Sequence, residues 1–171
     1  GFDFRETFAQ LAGLEKGERN GDETEVDYAV RKILLLHGVV MTIGGIPLFY
    51  LGDEIGTLND YSYENDPDNI GDTRWLHRAP FDWARAELRR DPATPTGRIY
   101  QGLMRLSQIR QQNLAFTRAE TEIVDTGNEQ VFGYFRTHAE HNVLVLANFS
   151  EQPQHLEARR LRLLGLRKSV V

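Results

Sequence analysis

The sequence has 171 residues, 40% of them hydrophobic and 26% charged, with a formal net charge of -5 at pH 7. That balance supports a folded core, and the acidic surplus argues against a general nucleic-acid partner, which meets a basic face. No cysteine is present; disulfides, thiolate metal sites and a cysteine nucleophile are excluded, and such a chain fits a cytoplasmic setting.

In chain order, residues 5–14, "RETFAQLAGL", read as a short helix. Residues 15–25 are polar, contain Gly17 and Gly21, and read as a loop. Thr24 is the expected N-cap of a helix over 25–42. There Val26, Ala29, Val30, Ile33 and Leu34 recur at helical spacing among Glu25, Asp27, Arg31 and Lys32, which makes a one-sided helix.

Residues 33–51 carry no Asp, Glu, Lys or Arg and meet the length of a membrane span. Gly38, Gly44, Gly45 and Pro47 interrupt them, and the one-sided pattern starts earlier. The run therefore reads as a helix followed by a buried strand, with no membrane partner. No basic segment followed by an apolar one opens the sequence, so no signal peptide is expected. Gly44-Gly45 ends the helix. Residues 46–51, "IPLFYL", are bulky on both faces, as a strand of a parallel sheet is when covered on both sides. Helix, glycine turn and doubly buried strand make half of a β/α repeat.

Residues 52–95 form a long segment rich in Asp, Asn, Gly and Pro, with one short helix expected at 81–90. Connections of that length inside a compact domain are usually functional. Thr96 is expected to cap a helix running to 112, with Ile99, Leu103, Leu106 and Arg110 on one stripe. After residue 113, "TEIVDT", "QVFGYFRT", "NVLVLANFS" and "QHLEA" read as short strands, with "GNE" and "AEH" as turns. They suit consecutive antiparallel strands of a sandwich, and Val170-Val171 follow without a closing turn.

Asp53 and Glu54 are adjacent at the expected strand end, so their side chains point to opposite sides and do not flank one bond as a pair. One caps or salt-bridges the loop and the other orders the rim of a pocket. The histidines show no metal-ligand spacing, and His77 reads as a hydrogen-bonded residue near that pocket. "NDPDNIGD" has carboxylates at short intervals, as calcium loops do. Pro67 and the missing distal Glu break the EF-hand pattern, which leaves a solvated acidic loop. No metal and no cofactor are expected. There is no glycine-rich phosphate loop, and Ser62, Ser107, Ser150 and Ser169 lack the glycine frame of a nucleophile elbow.

"GIPLFYLGDEIG" resembles the eighth-strand segment of the α-amylase superfamily (glycoside hydrolase family 13), Gly-x-Pro-x-x-Tyr-x-Gly-x-Glu, matching it at Gly45, Pro47, Tyr50, Gly52 and Glu54. "YLGDEIGTLNDYSY", "GDTRWLHRAPFDW", "GRIYQGLMRLSQIRQQN" and "ANFSEQPQ" narrow the likeness, over residues 11–171, to the amylosucrase family. The resemblance implies an α/β plus all-β fold. Residues 1–113 would be the last part of a (β/α)8 TIM barrel: helix 7, strand 8, a long loop and helix 8. Residues 114–171 would be an incomplete C-terminal antiparallel β-sandwich. It also implies a retaining glucosyltransferase that uses sucrose to build α-1,4-glucan and releases fructose.

Such chemistry needs a nucleophile and an acid/base carboxylate on either side of the bond, drawn from several barrel strands. The family places them on earlier strands, whose motifs have no match here, so no catalytic residue is assigned. The chain is expected to be an inactive and poorly stable fragment of a longer enzyme. By the same resemblance Arg74 falls on an arginine that closes the floor of the sugar pocket, paired to an aspartate of an earlier loop. A planar fork of donors suits that role. Asp60 is the second substrate-binding candidate, and Asp53, Glu54 and His77 form the rim. Trp75, Trp83, Tyr61 and Tyr63 are candidates for sugar stacking, with packing of the long loop as the plainer reading. The alternatives are a sucrose hydrolase, a sucrose isomerase or a trehalose synthase-like relative. A further alternative is a non-catalytic carbohydrate-binding module in residues 113–171.

Overall fold

The computed structural model describes residues 6–138 and 141–163. The chain forms two compact units, one from residues 1–38 with 48–107, the other from residues 39–47 with 108–171.

The first unit opens with α1, Phe8–Ala12, whose N-cap hydroxyl, Thr7 Oγ1, accepts the Gln10 N–H at 3.2 Å. Gly13, in the left-handed region, ends it, and α2, Leu14–Asn20, begins at once. This corrects the loop expected over 15–25. Glu, Lys and Arg favour helix, and Gly17 serves a close approach, since a Cβ there would lie 2.9 Å from Val26 Cγ2. The next helix, α3, Glu23–Thr42, is capped by Asp22 rather than Thr24. Asp22 Oδ1 accepts the N–H groups of Thr24 at 2.9 Å and Glu25 at 3.1 Å, because Asp22 holds the position just before the first helical residue.

The expected helix at 81–90 is α4, Trp83–Glu87, continued by a 3-10 turn, Leu88–Arg90. The last helix of this region is α5, Pro95–Gln112, with proline in its first turn. Its cap is Thr94, whose Oγ1 accepts the Gly97 N–H at 3.0 Å. Thr96 is already helical and buried, and its hydroxyl donates to the Ile55 carbonyl. Ala9, Ala12, Leu14, Ala29, Val30, Ile33, Ile99 and Leu103 form the core of this unit. Each large apolar side chain there contributes about 1.5–3 kcal/mol by leaving water.

Residues 46–51 depart most from expectation. They have no strand partner, and Ile46 is 97% and Leu48 80% exposed. A parallel strand takes its neighbours from segments a dozen or more residues away, and among the described residues every ladder is antiparallel. Without neighbours the run has no ladder, and Ile46 and Leu48 have little cover.

The second unit is built on one sheet of order β1-β2-β3: Glu120–Val124, Val131–His138 and His141–Asn148. Both pairings are antiparallel, with Glu122 opposite Phe135 and Tyr134 opposite Val145. The "GNE" turn forms with Gly127 at φ 73°. Residues 139 and 140 of the "AEH" turn, and Val170-Val171, lie outside the described residues. The stretch "QHLEA" is not a strand. Gln154 is instead held by side-chain bonds, Oε1 to Asn128 Nδ2 at 3.0 Å and Nε2 to Ser150 Oγ at 2.9 Å, and α6, Ala158–Leu163, follows. The expected sandwich is thus a single three-stranded sheet among the described residues.

The centre of this unit is β2. Tyr134 is fully buried, and its hydroxyl lies 2.6 Å from Thr42 Oγ1. Arg136, 2% exposed, donates to the carbonyls of Ala115 at 3.1 Å and Ile43 at 2.9 Å, and to Thr121 Oγ1. Arg110 donates to the carbonyls of Met41 at 2.5 Å and Gly45 at 2.9 Å. Two cations therefore take up the carbonyls that a helix end leaves unpaired, where the helix dipole is negative. Burial, and then the charge of Arg110, push the Arg136 pKa down. Among the described residues no helix is long and apolar enough to cross a membrane.

Candidate functional site

In the motif at 44–56, residues 46–50 are irregular and tight turns follow from residue 51. Gly52, at φ 98°, takes a conformation that side chains resist, and it opens a 3-10 turn, Asp53–Ile55, closed by Gly56 at φ 64°. Asp53 and Glu54 thus begin a turn instead of ending a ladder. Each accepts a backbone N–H from just upstream: Asp53 Oδ2 from Tyr50 at 3.1 Å, and Glu54 Oε2 from Gly52 at 2.8 Å. Ile55 is buried, and its carbonyl accepts from Thr96 Oγ1 at 3.1 Å and Arg85 Nε at 2.9 Å. Arg85 also forms a two-pronged ion pair with Glu18, at 3.1 and 2.7 Å. These bonds anchor the turn to α2, α4 and α5.

Above the turn lies a cleft of about 180 Å³, with Thr7, Phe8, Tyr50, Asp53, Thr57 and His77 in its wall. His77 ends a 3-10 turn, Thr73–His77, and its ring centroid lies 6.2 Å from that of Tyr50. Two polar atoms of this wall, His77 Nδ1 and Thr57 Oγ1, are buried without a hydrogen-bond partner. Unpaired buried groups cost free energy.

Below the turn sits His37, 4% exposed. Its Nδ1 is 2.8 Å from the Ile33 carbonyl, and its Nε2 is 3.8 Å from Asp53 Oδ2. The ring stacks on Phe49, at 5.3 Å and 10°, and meets Phe8 edge-on at 4.6 Å. The sequence offers no metal-ligand spacing for His37 and assigns it no role. The only signal was its place on the buried face of the helix that leads to the rim.

Of the sequence candidates, Asp53 and His77 share the cleft, while Glu54, Asp60 and Arg74 are not in its wall. Asp60 Oδ1 caps its own loop by accepting the Ser62 N–H at 2.8 Å, and the Asp60 N–H donates to the Leu76 carbonyl at 2.8 Å. Arg74 pairs with Asp72, two residues before it, through Nε at 2.8 Å and Nη2 at 2.7 Å, with its side chain 63% exposed. The Arg74 side-chain bonds, then its backbone N–H, pull the Asp72 carboxyl down to about 2. Tyr61 and Trp75 are exposed, and Trp83, more exposed still, packs edge-on against Phe81 at 4.8 Å. In the acidic loop, Asp66 bonds Asp68 N at 3.0 Å and Asn69 Nδ2 at 2.6 Å. Among the described residues no three His, Asp or Glu side chains cluster as metal ligands would. The second unit has its own open groove beside the β1–β2 turn, with Asn128, Phe132 and Phe149 in its wall.

No protein-family model matches the chain. Glucosylglycerate phosphorylase of Escherichia coli (strain K12) is 28% identical over 134 residues, 76% of this chain and 23% of that protein. Trehalulose synthase MutB from Pseudomonas mesoacidophila MX-45 matches 71% of this chain and 30% of its own, with a TM-score of 0.53 and 19% identity. Isomaltulose synthase SmuA from Protaminobacter rubrum matches 70% and 30%, with a TM-score of 0.50 and 19% identity. The chain thus spans 23% of the curated relative and 30% of these structures. At such identities the structural likeness is one of fold, shared with part of a TIM-barrel enzyme.

Proposed function

We propose that these residues work within a longer retaining enzyme that takes glucosyl units from sucrose, and that the segment 44–77 forms one wall of its sugar pocket. The observation that carries this is the cleft where Tyr50, Asp53 and His77 meet. The glucosyl and sucrose chemistry named for the similar proteins supports the same reading, and a MutB variant is known in complex with the substrate sucrose. The two reacting carboxylates belong to other polypeptide. One of them displaces fructose and carries the glucosyl group as an ester, and the other donates and then recovers the proton. Arg74 and Asp60 bind sugar hydroxyls from the loop that follows the cleft. Asp72 holds the guanidinium while leaving the side chain exposed.

The finer reading is amylosucrase-like: the ester is passed to the end of an α-1,4-glucan. "TLND" and "TRWLHR" favour it. A second reading, a sucrose isomerase that returns the glucosyl group to another fructose hydroxyl, is favoured by the structural neighbours. The non-catalytic alternative would use the groove beside Phe149.

The test is incubation of sucrose with a polypeptide that joins these residues to an upstream α-amylase-type barrel portion. Insoluble glucan with free fructose supports the polymerase. A sucrose isomer supports the isomerase, and glucose 1-phosphate formed only with added phosphate supports a phosphorylase. Intact sucrose in every case overturns the proposal. The 171-residue chain alone should leave sucrose untouched. Maltoheptaose binding that Phe149→Ala abolishes, without turnover in either polypeptide, would favour the binding module.

A further inference from the structure

We infer that His37 is a positioning residue for Asp53: it holds the rim carboxylate from beneath and sets the edge that Asp53 presents to the cleft. The inference rests on the reading of that cleft as the functional site. Its physical basis is the arrangement around one ring. The Ile33 carbonyl can only accept, so His37 Nδ1 carries a proton and donates to it at 2.8 Å. That bond, with the stacked Phe49 ring and the edge-on Phe8 ring, removes the freedom of the imidazole to turn. Nε2 is then aimed at Asp53 Oδ2, 3.8 Å away, beyond a direct hydrogen bond but within the range of an ion pair.

The same oxygen accepts the Tyr50 N–H at 3.1 Å. The Tyr50 N–H, from the turn, is bonded to Oδ2, and the His37 ring, from α3, stands beside the same oxygen. At 4% exposure His37 is screened from water, so the interaction is stronger than it would be at the surface. Coupling of this kind, from a helix interior through a histidine to a rim acid, is how supporting residues orient groups that meet a ligand. His37 has no part in the wall of the cleft itself.

Hydrogen exchange at the Tyr50 amide and ring nitrogen spectra of His37, both read by NMR on the 171-residue chain, test this without any sugar. His37→Phe keeps the ring and loses the nitrogens; it should speed Tyr50 exchange about tenfold, the scale of one local contact. Asp53→Asn should do the same, and the double variant should add little, because coupled residues are non-additive. His37→Gln, which restores a donor, should recover part of the protection. Exchange at Val30 and Ile33 serves as the control for the fold and should not change. In Asp53→Asn, which removes no core side chain, the His37 Nε2 resonance should move while Nδ1 keeps its proton. An unmoved Nε2 resonance, unprotected Tyr50 in the parent chain, or additive variants would overturn the inference. Each of these results leaves the sucrose test standing, and a failed sucrose test leaves these couplings measurable.

Discussion

Residues 46–51 and strand β2 are both apolar runs with β-type composition, and they end in opposite states. Tyr134 in β2 is fully buried, whereas Ile46 is almost fully exposed. The difference lies in where the partners come from. β2 takes β1 and β3 from its immediate neighbours in sequence, through the short connections that antiparallel pairing allows. Residues 46–51 have the composition of a strand covered on both faces, which needs parallel neighbours supplied by other segments. Composition therefore marks both runs as strands, but only local connectivity completes one of them.

Three experiments press on this contrast. The largest effect is expected on the paired side. Arg136→Ala leaves the Ala115 carbonyl unpaired, takes one of two donors from the Ile43 carbonyl, which keeps the Thr121 hydroxyl, and opens space beside Tyr134; it should cost about 3 kcal/mol in urea unfolding followed by the sheet's circular dichroism. A loss near zero would mean that water replaces the guanidinium and that β2 does not depend on it. On the unpaired side, Ile46→Asn with Leu48→Asn should shift stability by no more than about 0.5 kcal/mol, as exposed substitutions do. The same pair should reduce self-association in sedimentation, because exposed apolar runs are sticky. Strong destabilisation would show that these side chains are covered in solution.

The smallest effect concerns the Asp72–Arg74 pair. The Asp72 carboxyl is depressed to about 2 from its ordinary 3.8. A depressed carboxyl stabilises the folded form above its ordinary value, and that contribution is lost as pH falls through its folded value. The turn at 73–77 should therefore loosen between about pH 4 and pH 2, and Asp72→Asn should remove that step. A carbon-detected titration of the Asp72 carboxyl reads the midpoint directly; a midpoint near 4 would contradict the pairing. The pair is exposed, so global stability should barely respond.

Much of the molecule was legible in advance where the signal was local. The C-terminal ends of α3 and α5, the short helix in the long loop, the three strands and the glycine turn at 127 all follow from periodicity and turn chemistry. The helix α2 did not, because Gly17 and Gly21 read as breakers. Gly21 does end that helix, while Gly17 only makes room for Val26. The caps slipped by two residues at both long helices because Thr24 and Thr96 stand close to better-placed Asp22 and Thr94. Of the residues the sequence offered for the site, Asp53, Glu54, Asp60, Arg74 and His77, the cleft wall holds Asp53 and His77. Composition and spacing had no means of revealing that α1 contributes Thr7 and Phe8, or that His37 stands beneath Asp53. Those are tertiary meetings between residues far apart in sequence.

The arginine grip on the end of α3 bears on protein engineering. The segment from Gly44 to Gly56 looks like a portable cassette, since its turns are encoded by its own glycines. Yet the carbonyl at Gly45 is held by a guanidinium 65 residues downstream, and that at Ile43 by one 93 residues downstream. A transplant that moves only the cassette would set it down with its hinge ungripped, free to leave the helix in many directions. A working transplant has to bring both arginines, and with them most of the polypeptide between.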